Sequence, residues 1–432
     1  MPTHLRTILS LVILLTFLGK ESFSQECDDL KRKQCTYYRL DESGPWGVPN
    51  SSSKTGTMQN IPKKDQRERG YCYAFTATDM FEAIYQAENP EFKDFPLVSP
   101  VHTAFQYAEN KNFFLRIIDN LNEKLTGDGI AEGGDTCAAV NLLLEKGYCP
   151  QAEVDKNNVL YESVNWLVSN KRNLIATKKA LKKMGRATSK NIDIVQLKYN
   201  ADLLERNLKK YPSLTLCKNE PSVAAFRKFV GDMSDLLSYE STRFDELENL
   251  YNEYLKNYCS QNLKRLGTNK YSCVKEDFRN TADLKDFFIK NKERFSSILS
   301  DQISNPPVLP IELSICGGAL NGGLETKRLA VSFGVQPTKD CGPHTVTVMG
   351  RKWDESKCAC KLLVKNSWGP LSCFYQTEKA AEKIQVPEGR KRWLGYAKRG
   401  WECDDKESLF WANQDDIFEN TLSISYISKE KK

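Results

Sequence analysis

Residues 66–84 read QRERGYCYAFTATDMFEAI, and within this stretch the texture changes from a charged loop to a helix. Ala74, Ala77, Phe81 and Ile84 recur at spacings of 3, 4 and 3, which places one apolar stripe on a helix beginning near Cys72. A thiol at the head of that helix feels the positive end of its dipole, and a neighbouring imidazolium would depress its pKa further. That environment makes a nucleophile. Taken alone, Cys72 reads first as half of a disulfide, since the chain carries 14 cysteines.

Beyond Pro306 the hydrophobic period becomes two. Ile311, Leu313 and Ile315 alternate with polar residues, as do Val346 and Val348, Leu362 and Val364, and Leu422, Ile424 and Tyr426. The C-terminal third is therefore expected to be antiparallel sheet, interrupted by a polar insertion near 370–406. Between them, residues 151–300 are long, charged and helical in pattern, as in Asp193 to Tyr211 and Ser222 to Tyr239. Residues 25–60 are polar and turn-rich and form an extended lead-in with little core of its own.

A thiol nucleophile needs a base within hydrogen-bond reach, and histidine is the usual choice. The chain has three histidines, and His4 falls in an N-terminal segment expected to be removed. His102, in Val98-Ser99-Pro100-Val101-His102, reads as a structural residue at a helix start. His344 opens the strand pattern His344-Thr345-Val346-Thr347-Val348, with its side chain on the parity of Val346 and Val348. A satisfied buried histidine is the alternative there.

Read together, the positions narrow the choice. Gln66 lies six residues before Cys72, and Lys365-Asn366-Ser367-Trp368-Gly369 begins just over twenty residues after His344. In this order and local context the sequence resembles the papain-like cysteine peptidases. The resemblance implies Cys72 as nucleophile, His344 as its base, Asn366 orienting that base, Gln66 and the Cys72 backbone N–H in the oxyanion hole, and Trp368 shielding the His–Asn bond. Ala131-Glu132-Gly133-Gly134 resembles the double-glycine segment that pairs with a substrate chain, so Gly133, Gly134, Tyr73 and Trp368 are the implied substrate-binding residues. Pro307 to Ile311 and Phe410 to Ile427 resemble further strands of the family.

The implied fold is α+β: a papain-like two-subdomain peptidase, with a helical half, an antiparallel sheet half and a large all-helical insertion. The corresponding boundaries are 1–24 signal peptide, 25–60 lead-in, 61–150 helical subdomain, 151–283 helical insertion and 284–432 sheet subdomain. His344 lies 272 residues after Cys72, whereas papain relatives separate the two by roughly 130 to 150; the insertion accounts for the excess. Two departures bear on substrate fit: Arg69 stands where the family has a cysteine, and Tyr73 where it has a tryptophan. The lead-in is too short for the family's long inhibitory propeptide.

The implied activity is peptide-bond hydrolysis on a peptide or protein substrate, without a cofactor or metal. Thiol acyl transfer on the same fold and a non-catalytic peptide-binding relative are the alternatives. Arg6, the apolar run Thr7 to Gly19 and Ser22-Phe23-Ser24 read as a signal peptide cut near Ser24, hence a secreted or periplasmic chain with no membrane span. Export makes most cysteines disulfide halves. Cys341, Cys358, Cys360 and Cys373 could alternatively hold zinc. Lys+Arg 62 against Asp+Glu 56 is spread along the chain and predicts no nucleic-acid partner. A protein partner is possible for the insertion. The basic run Lys171 to Lys190 reads as a solvated helix face, and Gly317-Gly318 with Gly322-Gly323 as a loop without the lysine of a phosphate site.

Overall fold

A computed structural model describes residues 27–42, 56–62, 64, 66, 70–89, 97–111, 133–151, 259, 263–266, 270–278, 284–305, 307–316, 343–367, 401–404 and 409–429. The signal-peptide segment, most of 151–283, the 317–323 loop and Trp368 lie outside the described residues.

The fold is α+β. Helices α1 (Asp29–Gln34), α2 (Cys72–Glu88), α3 (Pro100–Asn110), α4 (Thr136–Lys146), α5 (Leu284–Ser304) and α6 (Gln414–Glu419) accompany one antiparallel sheet. Its strands are β1 (Tyr38–Arg39), β2 (Tyr271–Asp277), β3 (Ile311–Cys316), β4 (Pro343–Asp354), β5 (Ala359–Lys365), β6 (Glu402–Cys403), β7 (Leu409–Asn413) and β8 (Thr421–Lys429). They run in the order β2-β8-β3-β4-β5-β7-β6, with β1 paired to β4.

The alternation read from the sequence assigns one face of the sheet correctly. Ile311, Leu313, Val346, Val348, Leu362 and Ile424 share a core with Phe295, Ile298 and Leu299 of α5. The opposite face is also covered. Leu363, Met349, Trp411 and Ile427 pack into a second core with Ala74, Ala77 and Met80 of α2. Residues at the parity that would face solvent in a one-sided sheet are thus buried between strands and helices.

Local chemistry sets the helix ends. Ser99 caps α3, accepting from the His102 N–H at 3.2 Å, and Pro100 takes the first turn, where no backbone donor is needed. Asp135 caps α4 by accepting from the Ala138 N–H at 2.9 Å. Gly147 ends α4 at φ 95°, and a Cβ there would stand 2.5 Å from the Lys264 carbonyl oxygen, so glycine is required twice over.

Four disulfides with both halves among the described residues join distant segments: Cys27–Cys358, Cys35–Cys360, Cys137–Cys273 and Cys149–Cys259. The first fastens the lead-in to the turn between β4 and β5 and the second to the start of β5, and Tyr38 and Leu40 of that lead-in enter the core beside α2. They also overturn the zinc alternative for Cys358 and Cys360, whose sulfurs are covalently engaged. Tyr271–Asp277 is strand rather than helix, within the stretch read as an all-helical insertion. Only its first residues are apolar at alternate positions, so seven residues ending in Lys275-Glu276-Asp277 carry a weak period-two signal. No helix among the described residues is long and apolar enough to cross a membrane.

Candidate active site

Cys72 is the first residue of α2 and the one free cysteine among the described residues. Tyr71 before it makes no side-chain cap bond, so the helix opens with its N–H groups uncapped by side chains. Burial pushes the Cys72 thiol up, but the hydrogen bond and charge of His344 and hydrogen bonds from the side chain and backbone of Thr345 draw it down to about 7. A substantial thiolate fraction therefore exists at neutral pH.

His344 and Asn366 meet across the sheet edge. Nε2 of the ring lies 2.8 Å from Asn366 Oδ1, and both side chains are buried. Asn366 Oδ1 can only accept, so Nε2 carries the proton and Nδ1 is the ring nitrogen left for the Cys72 sulfur. Thr345, next in β4, touches helix α2 directly through a 3.3 Å contact between its hydroxyl and that of Thr76.

Gln66 joins the same edge. Its backbone N–H donates to the Ser367 carbonyl at 2.8 Å, and the Ser367 hydroxyl donates to Gln66 Oε1. With the amide oxygen held by serine, the NH2 is the side chain's donor end. The sequence-predicted residues Gln66, Cys72, His344 and Asn366 come from the segment preceding α2, the start of α2 and two strand ends, joined by the Cys72–His344, His344–Asn366 and Gln66–Ser367 contacts.

Gly133 and Gly134 are exposed, and the Gly133 N–H donates to the Gly70 carbonyl at 3.0 Å, which ties this segment to the residue two before Cys72. A Cβ at Gly134 would fall 2.5 Å from the Tyr73 ring and 2.8 Å from the Tyr107 ring. Tyr73 itself is 1 % exposed and donates to the Ala104 carbonyl at 3.3 Å, so it forms the floor under Gly134. His102 is buried in α3, and burial lowers it to about 4.

Sequence reading missed a buried ionic cluster behind the site. Lys64 Nζ lies 2.7 Å from Glu82 Oε2, 3.1 Å from Asp79 Oδ1 and 2.8 Å from the Thr78 hydroxyl. Lys365 Nζ lies 2.9 Å from Asp79 Oδ2 and 3.0 Å from the Pro62 carbonyl. Burial opposes the Lys64 charge, but Glu82 and Asp79 hold its pKa above the usual lysine value. Asp79 and Glu82, three residues apart, share the helix face away from the Ala74-Ala77-Phe81-Ile84 stripe, so the helical period gave no signal that they are buried. Glu312 of β3 was missed too; burial raises it to about 8.

No known protein-family model matches this chain, and no curated protein sequence matches it.

Proposed function

We propose that the chain is a papain-like cysteine peptidase, with a helical half and a sheet half flanking an active cleft and Cys72 as nucleophile. The observation that carries the reading is the bonded series from the Cys72 thiol, drawn down to about 7, to His344 and on to Asn366 Oδ1 at 2.8 Å from the ring.

In this mechanism the thiol proton passes to His344 Nδ1, and the sulfur attacks the peptide carbonyl carbon. The oxyanion is held by the Gln66 amide and by the Cys72 backbone N–H, one of those at a helix start with no intrahelical acceptor. His344 returns its proton to the departing amine as the C–N bond breaks, leaving a thioester. Water then attacks the thioester, gives a proton to His344, and the thiol is restored as the acid leaves. Asn366 keeps the ring turned toward sulfur throughout. Oxidised cysteines are in keeping with a secreted or periplasmic location.

The test is incubation of the full chain with a mixed peptide library, with new termini read by mass spectrometry and Cys72→Ala as control. Cleavage by the wild type and none by the variant is expected. An added amine acceptor that captures most acyl groups would instead favour a transferase, and equal cleavage by both proteins would end the proposal.

A further inference from the structure

Arg351 of β4 is 3 % exposed, and among the described residues its Nη1 has no hydrogen-bond partner. Burial disfavours its charge, and the group that acts on that charge is the hydroxyl of Tyr38, a phenol that burial keeps protonated. Carboxylates at this end of the sheet belong to other cations. Asp354 and Glu402 lie 2.5 and 2.6 Å from Lys361 Nζ, and Asp41 and Asp404 lie 2.8 and 2.9 Å from the Arg39 guanidinium. A buried cation without an anion is costly.

What Arg351 does meet is a sulfur. Its Nε donates to Cys360 Sγ at 3.2 Å, and that sulfur is bonded to Cys35. A disulfide sulfur is a neutral, weak acceptor, whereas a thiolate in its place would set an anion against the guanidinium. Reduction would therefore match a charge that the disulfide leaves unmatched. Cys360 is half-buried and open to attack, while both halves of Cys137–Cys273 and of Cys149–Cys259 are buried.

We propose that Cys35–Cys360 is a site of thiol–disulfide exchange, opened by a dithiol and held in its reduced form by the Arg351 guanidinium. The inference is independent of the peptidase reading. One thiolate of the dithiol attacks the Cys360 sulfur, the bond to Cys35 breaks, and Cys35 leaves with the electron pair and takes a proton from solvent. The second thiol of the dithiol loses its proton to solvent and closes on the first sulfur, and Cys360 departs as a thiolate facing Arg351. The dithiol ends as a cyclic disulfide, oxidised by two electrons, and the protein gains two reduced cysteines. Cys27–Cys358 still fastens the lead-in, so the exchange loosens the joint between α1 and β1 without detaching it.

The experiment equilibrates the full chain with reduced and oxidised dithiothreitol over a range of ratios, quenches with iodoacetamide and reads each disulfide by mass spectrometry. Cys35–Cys360 should open at a reduced-to-oxidised ratio at least about tenfold lower than Cys137–Cys273 and Cys149–Cys259, which is about 30 mV for a two-electron couple. Arg351→Met should raise the ratio needed for Cys35–Cys360 by about tenfold and leave the other two unchanged. Arg351→Lys should restore part of the difference, with melting curves verifying that both variants fold. A merely structural role for Arg351 predicts the opposite sign, because a loosened strand opens its disulfide more readily. Equal resistance of the three disulfides in the wild type overturns the proposal without any variant. So does a folded Arg351→Met variant in which Cys35–Cys360 opens as easily as before, or more easily.

Discussion

Lys365 Nζ lies 2.9 Å from Asp79 Oδ2, so the residue preceding Asn366 is held to α2 about two turns beyond Cys72. Asp79 also meets Lys64 at 3.1 Å, two residues before Gln66. One buried carboxylate thereby connects the strand end bearing Asn366, the helix bearing Cys72 and the loop bearing Gln66.

Lys64→Met should be strongly destabilising, because it leaves Glu82 buried without its cation. Breaking one side of a buried ion pair costs about 3–5 kcal/mol. Urea unfolding would measure it, and a midpoint equal to that of the wild type would mean the cluster does not hold these segments together.

The Cys72 thiol is raised by burial and lowered by His344 and Thr345, with the lowering effects prevailing. Removing the ring leaves burial opposed by Thr345 alone. The iodoacetamide alkylation profile should then have its midpoint near 7 in the wild type and move upward, toward or past the ordinary 9.0, in His344→Ala. An unchanged midpoint would exclude His344 as the group that activates the sulfur.

Gln66→Ala should lower kcat by about 10² to 10³ while leaving the fold intact, the usual effect of losing one oxyanion donor. Its backbone bond to Ser367 does not depend on the side chain. Steady-state turnover paired with a melting curve separates the two effects, and full turnover in the variant would remove Gln66 from the mechanism.

The two exposed glycines should respond differently to alanine. Gly133 has φ 72° and open space around its would-be Cβ, so Gly133→Ala costs only backbone strain of about 1 kcal/mol. At Gly134 the methyl would meet the buried Tyr73 ring at 2.5 Å, and overpacking of this kind costs about 1–3 kcal/mol. Thermal unfolding should rank Gly134→Ala as the more damaging; the reverse order would mean that the Tyr73 floor yields.

Glu312 has a folded-state pKa of about 8 against an ordinary 4.5, so the native protein prefers it protonated. The cost of burying it is absent below the unfolded value, grows as pH rises through the window between the two, and is complete above the folded value. Glu312→Gln removes that cost. The variant should match the wild type in stability near pH 4 and exceed it by a few kcal/mol above pH 8, at about 1.4 kcal/mol per pH unit. Urea titrations at the two ends would check the sign, and a stability gain that does not depend on pH would refute the assignment.

Much of the sheet was legible because its signal is local. Ile311, Leu313 and Ile315, or Leu362 and Val364, reveal the inward face by a period of two that each strand carries in itself. Tyr271–Asp277 was not legible, since its register comes from pairing with β8 rather than from its own pattern. The residues at the other parity are polar, and nothing local to Glu312 or Thr347 announces that they are buried.

The sequence by itself determined which chemical groups exist and in what order: a thiol opening an apolar helical stripe, an imidazole opening a strand, and carboxamides at set distances from each. Only the tertiary structure decided that these groups touch, that Lys64 and Lys365 share Asp79, and that Glu312 is buried beside the thiol. The reason is physical. Periodicity records how each segment meets its own faces, whereas proton affinity depends on burial and on neighbours brought close through space from far along the chain.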